Sequence, residues 1–390
     1  MTGRPRASAL RQGDGAGEVT NIELFFDLVY VFAVTQLSHL LVEHANLAGA
    51  LHTAVLLAMV WQVWVYTTWS VNYLDPNRSP ARFMLVLIML GSLVLAAAIP
   101  DAFHGHGLLV GTAYVSMQVG RVLFTIWALR GERLQLVFLR ILPWTLTSSA
   151  VVLIGATQPA GLRTALWAAA IVIDLVGASV GFYVPGLGRS ATTDWTISGT
   201  HFAERCQAFV LIALGESIIV IGSRLELDHP TVRSLTAFAV AFASAVTLWW
   251  IYFDRAAQDS AHEIAASDDP GRLAAYAFHY VHPLIVGGII VLAAADEVVL
   301  EHLTEHATAA VAWLVLGGVG LFLFGHAVFK YLVWRAVSWP RVVGIGLVAV
   351  AAPVAPHVTG LTLGIWALAV LVAVAIADRI VHHQRLAAAP

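Results

Sequence analysis

A few ionisable side chains fall inside long apolar stretches of this chain, where each one needs a reason to be present. Glu23 and Asp27 open the first stretch four residues apart, so a helix would carry both on one face. Arg121 and Asp174 sit singly in later stretches, and His201, Glu204, Arg205 and Glu216 share another. His279, His282 and His326 occupy two more. An ionised group at the centre of a lipid-embedded helix costs about 2.5–3.5 kcal/mol on insertion scales, so each is expected to turn toward a partner or water. Arg205 and Glu216 lie on a shared helical face but about 16 Å apart along it, so each needs a partner from another helix. Arg121 with Asp27, and Arg205 with a second acid, are the expected pairs. Such groups could pass protons or ions along a polar route, with histidines changing charge near neutral pH. They could equally fix helix register as buried ion pairs.

Other chemistry finds little footing. His279 and His282 have the i, i+3 spacing of a ligand pair, but a lone pair does not make a metal site. Cys206 is the single cysteine, which excludes an intrachain disulfide and reads as a small packing residue. No P-loop, no Rossmann glycine pattern and no HExxH occurs, and Gly215-Glu216-Ser217 lacks the flanks of a hydrolase elbow. No cofactor is named by these residues, and an enzyme is not the favoured class.

The elements that must hold these groups are membrane-spanning helices. Of 390 residues, 59% are hydrophobic and 12% charged, and the mean hydropathy is +0.80. A water-soluble globule cannot hide so much apolar surface. The net charge of −3 gives no basic surface for nucleic acid. The fold class expected is all-α, a polytopic bundle of about twelve spans. The runs are 22–43, 47–69, 82–99, 108–129, 141–156, 164–184, 201–222, 235–253, 273–295, 308–329, 342–355 and 361–378. No charged segment leads into a short apolar core at the start, so the first span is expected to insert uncleaved. With the N-terminus inside, 16 Lys and Arg fall in cytoplasmic segments. Arg163, Arg224 and Arg233 fall outside, and Arg121 and Arg205 within spans. That asymmetry places both termini in the cytoplasm of a multi-pass cell-membrane protein.

Domain organisation follows from the runs: a polar tail 1–20, a first six-helix half 21–184, a linker 185–200, a second half 201–380 and a tail 381–390. Faint echoes between the halves, such as Glu23 with Glu204 and Trp64-Val65-Tyr66 with Trp250-Ile251-Tyr252, suggest a parallel six-plus-six repeat. Spans five and eleven are the shortest and carry Pro143 and Pro353. Interrupted segments can mark a transporter's binding site, although poorly delimited helices explain them as well. Trp64, Tyr66, Trp69 and Tyr73, then Trp249, Trp250 and Tyr252, then Trp334 and Trp339, read as interfacial anchors. Gly287, Gly288, Gly317, Gly318 and Gly320 read as sites of close helix packing.

Two stretches resemble a known family. Asn21-Ile22-Glu23-Leu24-Phe25-Phe26-Asp27-Leu28-Val29-Tyr30-Val31 is similar to the opening motif of the bacterial low temperature requirement A proteins, with Tyr30 in place of a common Phe. Glu204-Arg205, followed by Leu214-Gly215-Glu216-Ser217, resembles that family's second hallmark. The resemblance covers nearly the whole chain. It implies a polytopic bacterial membrane protein of a family named for a cold-growth phenotype, with Glu23, Asp27, Glu204, Arg205 and Glu216 as its polar motif positions. It brings no substrate with it.

The functional expectation is a secondary transporter or permease, ion- or proton-coupled, with the lipid bilayer and an unidentified small molecule or ion as partners. The alternatives are a structural or sensory membrane protein in cold adaptation, and a membrane-embedded lipid or cofactor enzyme.

Overall fold

The computed structural model describes residues 19–191, 199–224, 230–254 and 263–387, except 265 and 268. Most of the polar tail, the linker segment 192–198, Arg255 and the last residues 388–390 lie outside the described residues. Every regular element among the described residues is helical. In chain order these are α1 (Asn21–Glu43), α2 (Leu47–Tyr73), α3 (Ser79–Ala98), α4 (Gly107–Ala128), α5 (Leu134–Ala156), α6 (Ala160–Ser179), α7 (Gly199–Ser223) and α8 (Val232–Phe253). Then come α9 (270–301), α10 (Ala309–Trp334), α11 (Trp339–Ala351) and α12 (Gly360–Ala387). All but α11 are long and apolar enough to cross a membrane. The chain is a multi-pass membrane protein.

Local chemistry sets the helix ends. Asn46 accepts the Gly49 N–H at 3.0 Å and starts α2. A Cβ on Gly49 would lie 1.9 Å from the His44 carbonyl oxygen, so only glycine fits that tight corner. Asp75 accepts the Asn77 N–H at 3.0 Å after α2, and a proline opens α3 in its first turn. Thr231 and Ser234 form a reciprocal capping box at α8. α9 carries a π-helical turn, Ala275–Val281, directly before a Pro in the first turn of His282–Glu301. The missing proline N–H removes one helical bond and favours the wider turn.

Two runs differ from expectation. The fifth helix is a continuous 23 residues and passes through Pro143, whereas the sequence reading began it near that proline. Proline is tolerated inside membrane helices because packed neighbours and local adjustment accommodate the lost backbone bond. The eleventh run contains only a 13-residue helix, about 20 Å long. It nonetheless travels the length of α10. It begins just beyond the α10 C-terminus, and after a 3-10 turn the chain reaches Val358, which accepts the Ala307 N–H at 2.8 Å beside the α10 N-terminus. The described residues thus hold twelve helices, eleven of them long and apolar enough to cross a membrane.

The chain divides into two compact units. One comprises the described residues of Met1–Gln36, Ala54–Arg205 and Ala265–Ala274; the other those of Leu37–Thr53, Cys206–Ile264 and Ala275–Pro390. In the first, α3, α4, α5 and α6 pack as sequential neighbours. In the second, α9 and α10 pack most closely, because glycines face backbone. A Cβ on Gly288 would come 2.5 Å from the Phe322 backbone nitrogen, and one on Gly325 3.0 Å from that of Ile285. Gly318 is similarly tight against Leu292, whereas Gly317 and Gly320 are not. Large apolar side chains such as Phe83, Leu87 and Leu90 stay exposed, which suits contact with acyl chains.

Candidate functional site

The first unit buries a charge network built from two helical i, i+4 pairs. Glu23 and Asp27 stand on α1, and His201 and Arg205 stand on the first turns of α7. Glu23 binds His201 and Arg205, while Asp27 binds Arg205. The two pairs match in the same N-to-C order, so these turns of α1 and α7 run parallel. Six traversals between two such segments require that direction.

Thr20 sets the first acid. Its backbone N–H and its hydroxyl reach Glu23 Oε2 at 2.9 and 2.8 Å, which fixes the carboxylate at the N-terminus of α1. The other oxygen, Oε1, accepts from His201 Nε2 at 2.8 Å and from Arg205 Nη1 at 3.2 Å. A carboxylate only accepts, so His201 carries its proton on Nε2. Asp27 meets the Arg205 fork: Nε to Oδ2 at 2.9 Å and Nη2 to Oδ1 at 2.5 Å. Trp64 Nε1 donates to Oδ1 at 2.6 Å. The Arg205 guanidinium also lies 5.5 Å from the Phe26 ring centre and 5.9 Å from that of Trp64. Glu23, Asp27, Trp64, His201 and Arg205 are each at most 1% exposed.

The other predicted residues fall elsewhere. Glu204 is exposed, because neighbours on a helix point about 100° apart and Arg205 takes the inward position. Arg121 does not pair with Asp27, which Arg205 occupies. Its Nη2 donates to Gln118 Oε1 at 2.8 Å and its guanidinium covers the Tyr66 ring at 5.0 Å. Asp174 is buried on α6 with Ser148 of α5 beside it. Glu216 is 1% exposed in the second unit. There His282 Nδ1 donates to the Ala277 carbonyl of the π-turn at 3.0 Å, which leaves Nε2 to accept from Tyr252 Oη at 2.8 Å in the neutral ring. His326 Nδ1 accepts from Arg341 Nε at 3.0 Å, and Arg341 Nη1 reaches Asp378 at 2.6 Å. His279 is buried on the π-turn. Outside the spans, Arg224 binds Glu297 at 2.5 Å and also Glu301, and these contacts raise the guanidinium further above its ordinary pKa. No group of three His, Cys, Asp or Glu among the described residues is placed to hold a metal ion.

Several aromatic anchors are also core residues. Trp64, Trp69, Tyr73 and Tyr252 are buried, whereas Trp249, Trp250 and Trp339 are exposed as expected. Trp64 is inside because its N–H completes the Asp27 shell. His201 and Trp64 are the network members that the motif residues did not include. The repeated four-residue spacing of His201 and Arg205 against Glu23 and Asp27 was the available signal.

The description "bacterial low temperature requirement A protein" matches residues 18–376. The chain belongs to the bacterial low temperature requirement A family. The chain is also similar to an uncharacterized protein of Rhizobium meliloti (strain 1021), 36% identical over 370 residues, covering 94% of this chain and 90% of that one. No solved structure matches. Of the five polar positions in the two motifs, Glu23, Asp27 and Arg205 meet in space as one ion-pair network.

Proposed function

We propose that this chain is a secondary transporter or permease of the cell membrane, with both termini cytoplasmic, and that Glu23, Asp27, His201 and Arg205 form its proton-coupling centre. The observation that carries the reading is the charge balance. Two carboxylates and a histidine meet one guanidinium in a fully buried network, an arrangement that can take up or release a proton. The proton would sit on His201 or on the Glu23 carboxylate it bonds at 2.8 Å. Asp174, buried in a span of the same unit, is a further carboxylate a translocation route would use. The test is proton movement in pyranine-loaded proteoliposomes on addition of amino-acid, sugar or organic-ion mixtures. Wild type and Glu204→Gln should respond alike, and Asp27→Asn should not. No response in wild type, or equal responses in all three, would overturn the proposal.

A second reading draws on the bidentate fork and the complete burial of Asp27 and Arg205: a register pin that holds α1 against α7. It gains if Asp27→Leu with Arg205→Met, which removes the charges together, restores both folding and cold growth.

A further inference from the structure

Four helices of the second unit surround a small cavity with one carboxylate in its wall. Asp296 of α9 stands about 8 Å inside the helix end at Glu301. α8, α10 and α12 pack around it and contribute apolar walls such as Ala241, Val319 and Leu361. Among the described residues lining the cavity, Ser244 of α8 is the only other polar side chain, and no further titratable group faces Asp296 from any of the four helices. Asp296 itself is only partly buried, so its carboxylate is within reach of the cavity.

Neither polar group has a partner. Among the described residues Asp296 makes no hydrogen bond or ion pair, and no charged neighbour acts on it. Ser244 is 7% exposed, yet its hydroxyl also makes no hydrogen bond among the described residues. Three residues on, Thr247 donates back to the Ala243 carbonyl at 2.7 Å, the usual habit of a hydroxyl inside a helix. The nearest acids along α9, Glu297 and Glu301, are both bound to Arg224. Successive helical residues point about 100° apart, so Glu297 meets that cation while Asp296 faces the cavity.

Size and chemistry select the occupant. The cavity holds about 20 Å³, above the roughly 10–15 Å³ that one water requires and far too little for an organic ligand. A hard metal cation takes about six oxygen ligands, and the side chains here offer only those of Asp296 and Ser244. An ionised carboxylate among apolar walls is costly without a partner, whereas a neutral acid needs only one acceptor for its O–H. We propose that Asp296 is a proton-binding site of the second unit, its acid O–H joined to Ser244 Oγ through one water molecule. Its test uses no transported substrate, so the site stands or falls apart from the coupling centre of the first unit.

The test is infrared difference spectroscopy of the purified full chain in liposomes at neutral pH, where exposed carboxyls are ionised. Wild type should show a carboxylic-acid C=O band that disappears as the pH is raised, and Asp296→Asn should lose that band. Ser244→Ala keeps the acid but removes one partner of the water, so the band should move to higher frequency. That variant keeps the test decisive if Asp296→Asn fails to fold. Replacing choline chloride with sodium chloride at fixed pH should leave the band unchanged. Identical spectra of wild type and Asp296→Asn, a band unmoved in Ser244→Ala, or its loss on adding sodium would each overturn the site.

Discussion

Asp27 presents both carboxylate oxygens to Arg205, at 2.9 Å to Nε and 2.5 Å to Nη2, with neither side chain more than 1% exposed. Such a fork depends on a planar guanidinium, and lysine cannot reproduce it. Arg205→Met leaves two buried carboxylates without their cation and should cost about 3–5 kcal/mol, while Arg205→Lys should recover part of that. Thermal unfolding in detergent checks the order. Glu204→Gln, one residue away and exposed, should stay within about 0.5 kcal/mol of wild type.

Trp64 should matter through its N–H rather than its ring. Trp64→Phe keeps most of the apolar bulk but removes the 2.6 Å donor to Asp27. A loss of about 1.5–3 kcal/mol is expected, the range for a hydrogen bond to a charged group. A loss no larger than that of a Trp-to-Phe change at exposed Trp249 would contradict the assigned role.

The second unit offers a packing test. Gly288→Ala places a methyl 2.5 Å from the Phe322 backbone nitrogen and should destabilise by about 1–3 kcal/mol. Gly346→Ala meets nothing within 4 Å and should be neutral or slightly stabilising, because alanine is the better helix former. Equal effects would contradict the close approach of α9 and α10.

The proposed orientation is open to cysteine labelling. Cys206 is buried, so a Cys206→Ser background removes it as a target. A cysteine at Gly105, between α3 and α4, should react with a membrane-impermeant maleimide from outside intact cells. One at Gly131, between α4 and α5, should react only after the cells are opened. The reverse pattern would overturn cytoplasmic termini.

Much of this was legible in residue order. Apolar runs found all twelve helices, eleven of them of spanning length, and the acids at Glu23 and Asp27 stood out because lipid makes such groups expensive. Their partner was not legible, since Arg121 and Arg205 are equally intramembrane in sequence and only packing chose Arg205. Trp64 read as an interfacial anchor because aromatic composition does not reveal burial. Span five read as one of the shortest, starting just before Pro143, because the charged residues ahead of it ended the apolar run, whereas the helix itself continues back to Leu134. Glu204 was grouped with Arg205 by motif, although two adjacent helical residues cannot both face one partner.

The most direct test of the central claim is substrate-evoked proton movement in proteoliposomes holding wild type or a folded His201→Asn variant. Wild type should move protons when substrate is added, and the variant should not. Equal proton movement in both would contradict a proton-coupling centre at Glu23, Asp27, His201 and Arg205.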